Sequence, residues 1–336
     1  MRAATRALAL MLASCSAIAA VSGCTGRAAS WRPPGASAGA SAAAGASGAG
    51  GGEGSPGGAQ SPPARSAPAQ TFGVGIRTIA LGRSAGRPLP TTVWYPAKGA
   101  TTAVGTARGN APVAQGSYPL VLFSHGLTGL PANYAAITTR LAAAGFVVAA
   151  PAYPHTSADA TDPNVTDLIN QPADGFYVVN AVLALGKQSG DSFYEHIDQD
   201  GFAVAGHSAG GFTTAGMLAA KHDARLRAAV IIAGGTMGTY TAPSASVLFV
   251  HGDNDASVAY STGQSAYTRL SWPKAFLTVV GGDHSDYLLA TGAGFEPTVK
   301  TITDFLRATL YGDPAAKPRL TADGTSATTR YEQHLG

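Results

Sequence analysis

The chain has 336 residues with 22 basic and 19 acidic groups, enough for one or two domains and without the charge excess of a nucleic-acid-binding surface. Both of its cysteines, Cys15 and Cys24, lie near the start, so the body has none to pair and must be stabilised by its hydrophobic core. No basic run suggests binding to anionic lipid, and no second histidine stands at H-x-x-x-H spacing, which argues against a catalytic metal.

In chain order, Arg2 and Arg6 precede an apolar stretch that ends in Val21-Ser22-Gly23-Cys24. A positive start, a short apolar segment and small residues before a cut describe a secretory signal, too short for a spanning helix. The tetrapeptide resembles a bacterial lipobox, which predicts cleavage after residue 23 and acylation of Cys24. A cut before Cys15 would leave an apolar segment of only about eight residues. Simple secretion is the alternative. Removing residues 1–23 takes Arg2 and Arg6 and no acid, leaving 20 basic against 19 acidic groups. Residues 24–70 are mostly Gly, Ala, Ser and Pro and read as a disordered tether, roughly 35–40 Å end to end as a random coil.

From residue 71 to 310, apolar runs alternate with helical patterns, which predicts one α/β domain with a mostly parallel sheet flanked by helices. Residues 72–81 and 89–95 read as opening strands, 98–117 as a loop, and 119–124 as a buried parallel strand. A helix over 132–144, a strand over 146–150 and a helix over 173–185 follow. Strands over 202–205, 228–233, 247–250 and 276–280 alternate with helices over 210–221 and 257–270. An amphipathic helix over 295–310 closes the domain, and residues 311–336 read as a partly ordered tail.

The chemistry gathers at the ends of these strands. Gly206-His207-Ser208-Ala209-Gly210 is a G-x-S-x-G pattern between a predicted strand and a predicted helix. Its glycines allow the tight turn that exposes a nucleophilic serine, here Ser208. A serine at its ordinary pKa needs a base, and the base needs an orienting acid. Asp253 and Asp255 both follow the strand that ends in His251-Gly252, and His284 follows Gly281-Gly282 after the last strand. The chain order Ser, Asp, His suits a strand-turn-helix nucleophile of this kind. The N–H of Ala209 and that of Leu127, in the turn 124–129, are the expected oxyanion-hole donors. His125 and His207 are expected to brace the site rather than act as bases.

These features resemble a known group. Ser124-His125-Gly126, Gln171-Pro172-Ala173-Asp174, Gly206-His207-Ser208-Ala209-Gly210-Gly211 and the Asp255/His284 pair are similar to the α/β hydrolases around bacterial platelet-activating-factor acetylhydrolase, chlorophyllase, dienelactone hydrolase and cutinase-type polyester hydrolases. The resemblance covers about residues 72–310. It implies an α/β-hydrolase fold and a serine esterase or lipase that needs no cofactor and works through an acyl-enzyme. It also favours Asp255 as the acid, three residues after Gly252, with Asp253 shaping the turn. Residues 329–335 resemble the end of the polyester hydrolases. Departures narrow the reading: Ser208 stands where dienelactone hydrolases use cysteine. Leu127, Ala209 and Gly234 or Gly235 replace the aromatic, methionine and tryptophan of polyester hydrolases, and their C-terminal disulfide is missing.

About a dozen residues separate the strands ending near 233 and starting near 246, too few for a cap domain. An open site is expected, walled by Leu127, Thr128, Tyr153, His155 and Tyr240, with Thr128, Tyr153 and Tyr240 contacting substrate. The expected partners are a small-molecule or lipid ester and, through the anchor alone, a membrane. The chain is expected to act as a monomer, exported and held on the outer face of the cell membrane. A serine peptidase of the same fold and a non-catalytic envelope lipoprotein are the competing readings.

The anchor generates its own test. Cys24→Ser should release the protein from membranes while leaving the catalytic body active, and a fatty-acid analogue should label the wild type but not the variant. Unlabelled wild-type protein would point to simple secretion.

Overall fold

The computed structural model describes residues 67–335, apart from 85, 220–221 and 241–242. Cys24 and the tether up to residue 66 lie outside the described residues. Residues 67–70, expected in the tether, lie against the body instead. Arg307 donates to the Pro68 carbonyl at 3.2 Å, and Ala67 packs on the core. These few residues find an apolar surface to cover that composition alone does not reveal.

The strands form one sheet. β1 (Gly73–Ser84) and β2 (Arg87–Ala97) make an antiparallel hairpin, with the short β3 (Arg108–Gly109) at its outer edge. β4 (Tyr118–Ser124), β5 (Val147–Pro151), β6 (Ile197–His207), β7 (Leu226–Ile232), β8 (Ser246–Gly252) and β9 (Lys274–Val279) form a parallel block. β10 (Thr329–His334) runs antiparallel to β9. The sheet order is β10-β9-β8-β7-β6-β4-β5-β2-β1-β3. This is an α/β-hydrolase sheet, mostly parallel and flanked by helices.

The parallel block explains the uninterrupted apolar runs. Every residue of β4 is buried, and alternate residues serve opposite faces. Leu120 and Leu122 join one core cluster, with Val179, Phe202 and Phe249. Val121 and Phe123 join the other, with Ile137, Phe146 and Phe305. Helices α1 (Ala135–Ala143), α2 (Gln171–Leu185), α3 (Ala209–Met217), α4 (Tyr260–Arg269) and α5 (Phe295–Leu306) cover the two faces. In α5 the predicted apolar stripe is real: Phe295, Val299, Ile302 and Phe305 are all buried. Thirteen residues, 233–245, join β7 to β8.

The tail expectation is overturned. After Gly312 the chain forms α6 (Ala316–Gly324) and then β10, which pairs along the whole of β9 from Thr329↔Val279 to His334↔Lys274. The strand is polar because it lies at the sheet edge: Thr329 is fully buried while Arg330 and Glu332 face solvent. Leu320 of α6 is fully buried in the same core as Phe305.

Leu320→Ala should therefore cost about 2–5 kcal/mol and lower Tm by roughly 5–15 °C. A thermal melt checks it. An unchanged Tm would mean that the segment contributes nothing to the fold.

Candidate active site

The parallel strands deliver their C-terminal ends to one edge of the sheet, where loops are free to present side chains. Ser208 sits between β6 and α3 with φ 56° and ψ −119°, a conformation uncommon for a residue with a Cβ. The residues two positions to either side must be glycines: a Cβ on Gly206 would lie 2.2 Å from the Gly210 carbonyl oxygen, and one on Gly210 would lie 2.0 Å from that of Ser124. The Ser208 N–H donates to Ile232 O at 2.9 Å, which fastens the turn to β7.

Asp255 follows β8 and is buried. Its Oδ1 accepts the N–H groups of Ser257 and Val258 at 2.8 and 2.9 Å, and its Oδ2 accepts His284 Nδ1 at 2.7 Å. Burial alone would push this carboxyl up. Hydrogen bonds from His251 and His284 outweigh burial and hold it well below the usual carboxylate range. The His284 tautomer is thereby fixed with its proton on Nδ1, and Nε2 has no hydrogen-bond partner among the described residues. The structure thus brings Asp255 and His284 together as expected. Asp253 is used differently: its Oδ1 accepts Gly281 N–H at 2.6 Å and its Oδ2 pairs with Arg330 at 2.9 Å.

His251 carries a contact that sequence reasoning missed. Its Nε2 lies 2.9 Å from Val258 O and 3.3 Å from Asp255 Oδ2, so the acid is held by two imidazoles. The signal available was its position four residues before Asp255, at the end of β8.

His125 and His207 are saturated by hydrogen bonds. Tyr153 N–H donates to His125 Nε2 at 3.1 Å, so Nδ1 carries the proton and donates to Gly126 O at 2.8 Å. His207 Nε2 donates to the His284 carbonyl at 2.7 Å, and its Nδ1 pairs with the Tyr134 hydroxyl at 2.9 Å. Burial, reinforced by the adjacent His284, pushes His207 down to about 3. Neither ring has a free nitrogen for use as a base.

The turn after β4 holds Leu127 half-buried and Thr128 exposed at φ 59°, with Thr128 N–H donating to Thr156 O at 2.7 Å. Ala209 begins α3, where the first N–H groups have no partner within the helix. No hydrogen bond occupies the N–H of Ala209 or Leu127 among the described residues. Gln171 ties these parts together: its amide nitrogen donates to Thr156 Oγ1 at 2.6 Å, and its oxygen accepts from Thr213 Oγ1 at 2.5 Å. Behind it Arg87 pairs with Asp167 at 2.8 Å and with the fully buried Asp174. These contacts tie the loop between β5 and α2 to β2 and α3.

Two expected substrate contacts are corrected. Tyr153 is fully buried, and its hydroxyl lies 2.9 Å from Ser124 Oγ. It braces β4 beneath the turn 124–129 and exposes no surface to a ligand. The Tyr240 ring packs tilted against Trp272, with centroids 5.5 Å apart, just before the start of β9, whereas His284 follows that strand's end. Six residues of strand, about 20 Å, separate those two edges of the sheet. Two clefts of about 330 and 490 Å³ open beside Lys300 and Tyr118, and Ser208, Asp255 and His284 line neither.

If Asp255 fixes the histidine tautomer, Asp255→Asn should lower kcat/KM by about 10³–10⁴. Asp253→Asn, which loses only loop contacts, should cost less than about tenfold and some Tm. A worse result for Asp253 would misplace the acid.

Two family models match the chain. The one described as platelet-activating factor acetylhydrolase, isoform II, spans residues 99–174 and contains the turn with Leu127. The one described as alpha/beta hydrolase family spans residues 177–290 and contains Ser208, Asp255 and His284. A search of curated proteins finds no match. Sheet order, the strained serine turn and both matches agree: the chain has the α/β-hydrolase fold and is similar to the alpha/beta hydrolase family and to platelet-activating factor acetylhydrolase, a resemblance that supports an ester hydrolase.

Proposed function

We propose that the protein is a serine carboxylic-ester hydrolase working through an acyl-enzyme on Ser208. The observation that carries this reading is the 2.7 Å contact from His284 Nδ1 to Asp255 Oδ2, beside a serine at a strand-to-helix turn. In the first half-reaction Ser208 Oγ attacks the ester carbonyl carbon and His284 Nε2 takes the hydroxyl proton. Asp255 stabilises the imidazolium that results. The carbonyl oxygen becomes an oxyanion held by the N–H groups of Leu127 and Ala209, the second favoured further by the α3 dipole. Collapse of the tetrahedral intermediate breaks the bond to the alkoxy oxygen, which leaves as alcohol with the proton from His284. In the second half-reaction a water gives its proton to His284 and attacks the acyl carbon, releasing the acid and restoring Ser208. In the free protein no hydrogen bond joins Ser208 Oγ to His284 Nε2. Such bonds commonly tighten only once substrate is bound.

Short, soluble acyl esters are the proposed substrates. The thirteen residues between β7 and β8 supply no lid for an oil surface to open, and Leu127 and Thr128 offer little grip for a long chain. Export and acylation at Cys24 remain part of the proposal on the strength of residues 1–24. Among the described residues no helix is long and apolar enough to cross a membrane.

Ser208→Ala should fold normally and lose several orders of magnitude in kcat. The wild type should hydrolyse butyryl esters faster than long-chain esters, with no jump in rate as tributyrin passes its solubility limit. A sharp rise at that limit would point to a lid, for which the 153–171 segment is the candidate.

A further inference from the structure

Tyr134 carries none of the proposed chemistry, yet its hydroxyl joins three segments that do. It ends the short turn 131–134 before α1, is 7 % exposed, and packs on Phe123 at 4.9 Å. Gly126 N–H donates to its oxygen at 2.8 Å, and that oxygen lies 2.9 Å from His207 Nδ1. His207 Nε2 in turn lies 2.7 Å from the main-chain oxygen of His284.

The proton directions follow from elementary constraints. A carbonyl oxygen accepts only, so His207 Nε2 carries a hydrogen. The ring is neutral, because burial beside His284 pushes it down to about 3, so Nδ1 presents a lone pair. Tyr134 must then donate its hydroxyl proton to Nδ1, and its oxygen takes the Gly126 N–H. Every member of the chain is satisfied, and reversing the Tyr134–His207 link would leave the Nε2 lone pair facing the His284 carbonyl oxygen, acceptor against acceptor. The fit is close as well: a Cβ on Gly126 would lie 3.1 Å from the Tyr134 oxygen.

We propose that Tyr134 is a positioning residue for the ester hydrolysis inferred above, holding the oxyanion turn and the His284 loop in register around Ser208 through the side chain of His207. Gly126 precedes the oxyanion donor Leu127, His207 precedes Ser208, and the His284 carbonyl belongs to the base itself. Beyond the last ladder pair of β4 and β6, Ser124↔Gly206, this hydroxyl ties the Gly126 turn to the His207 ring, which carries the link on to the His284 loop. The inference rests on the ester-hydrolase reading, because it assigns Tyr134 a task only if those three segments react together.

Tyr134→Phe removes one oxygen and keeps the ring. It should lower kcat on p-nitrophenyl butyrate roughly 10- to 100-fold per titrated active site, with KM changed by less than about twofold. Affinity for a trifluoromethyl ketone, whose hemiketal adduct occupies the oxyanion hole, should fall by a similar factor. His207→Gln, which places an amide nitrogen near the position of Nε2, should retain at least about five times the activity of His207→Phe. Loss of Tm with kcat per active site intact, or equal damage from the two His207 variants, would overturn the proposal. A wild type with no esterase activity would instead refute the underlying reading. A wild type that depends on Ser208 beside an unaffected Tyr134→Phe would refute this inference alone.

Discussion

The chain leaves β6 at full burial and must enter a helix within one residue, so Ser208 adopts a backbone that costs of order 1–3 kcal/mol for a side-chain-bearing residue. Much else in the site follows from that constraint. The turn closes only because Gly206 and Gly210 have no side chains to meet each other or β4. It stays closed because Ser208 N–H is bonded to β7 and because α3 is packed behind it. The strain is thus held by the parallel sheet. The same sheet sets the spacing of the strand ends that carry Leu127, Asp255 and His284.

Around this turn the structure uses buried polar groups as spacers. Asp255 is taken out of water but receives two backbone N–H groups and two imidazoles, so its charge is satisfied rather than isolated. His125 and His207 are buried neutral and use both nitrogens, and Gln171 uses both ends of its amide. Such networks are costly when incomplete and rigid when complete. Rigidity is what oxyanion stabilisation requires, since its donors must be in place before the charge develops.

The central features were legible in the sequence because backbone demands wrote them there. Glycine pairs flank Ser208, Gly252 precedes Asp255, and Gly281-Gly282 precedes His284, each where a strand end turns sharply. Side-chain direction was less legible. Tyr153 follows a strand and a proline, which reads as an exposed loop, but its ring turns inward to reach Ser124. Tyr240 belongs to a connection that starts at the reactive edge and ends at the far one, so chain proximity to β7 misled. The closing strand β10 was hidden by its charges, because an edge strand with one solvent face lacks the apolar run that betrays a central one. His251 was passed over because it ends a buried strand and reads there as packing.

The proposed chemistry requires Ser208 as its one nucleophile, and covalent trapping addresses it directly. An organophosphonate ester should label the protein with one adduct per chain and abolish esterase activity in step, and peptide mapping should place the adduct on Ser208. Ser208→Ala should remain unlabelled. An adduct on another residue, or labelling that persists in Ser208→Ala, would contradict the account.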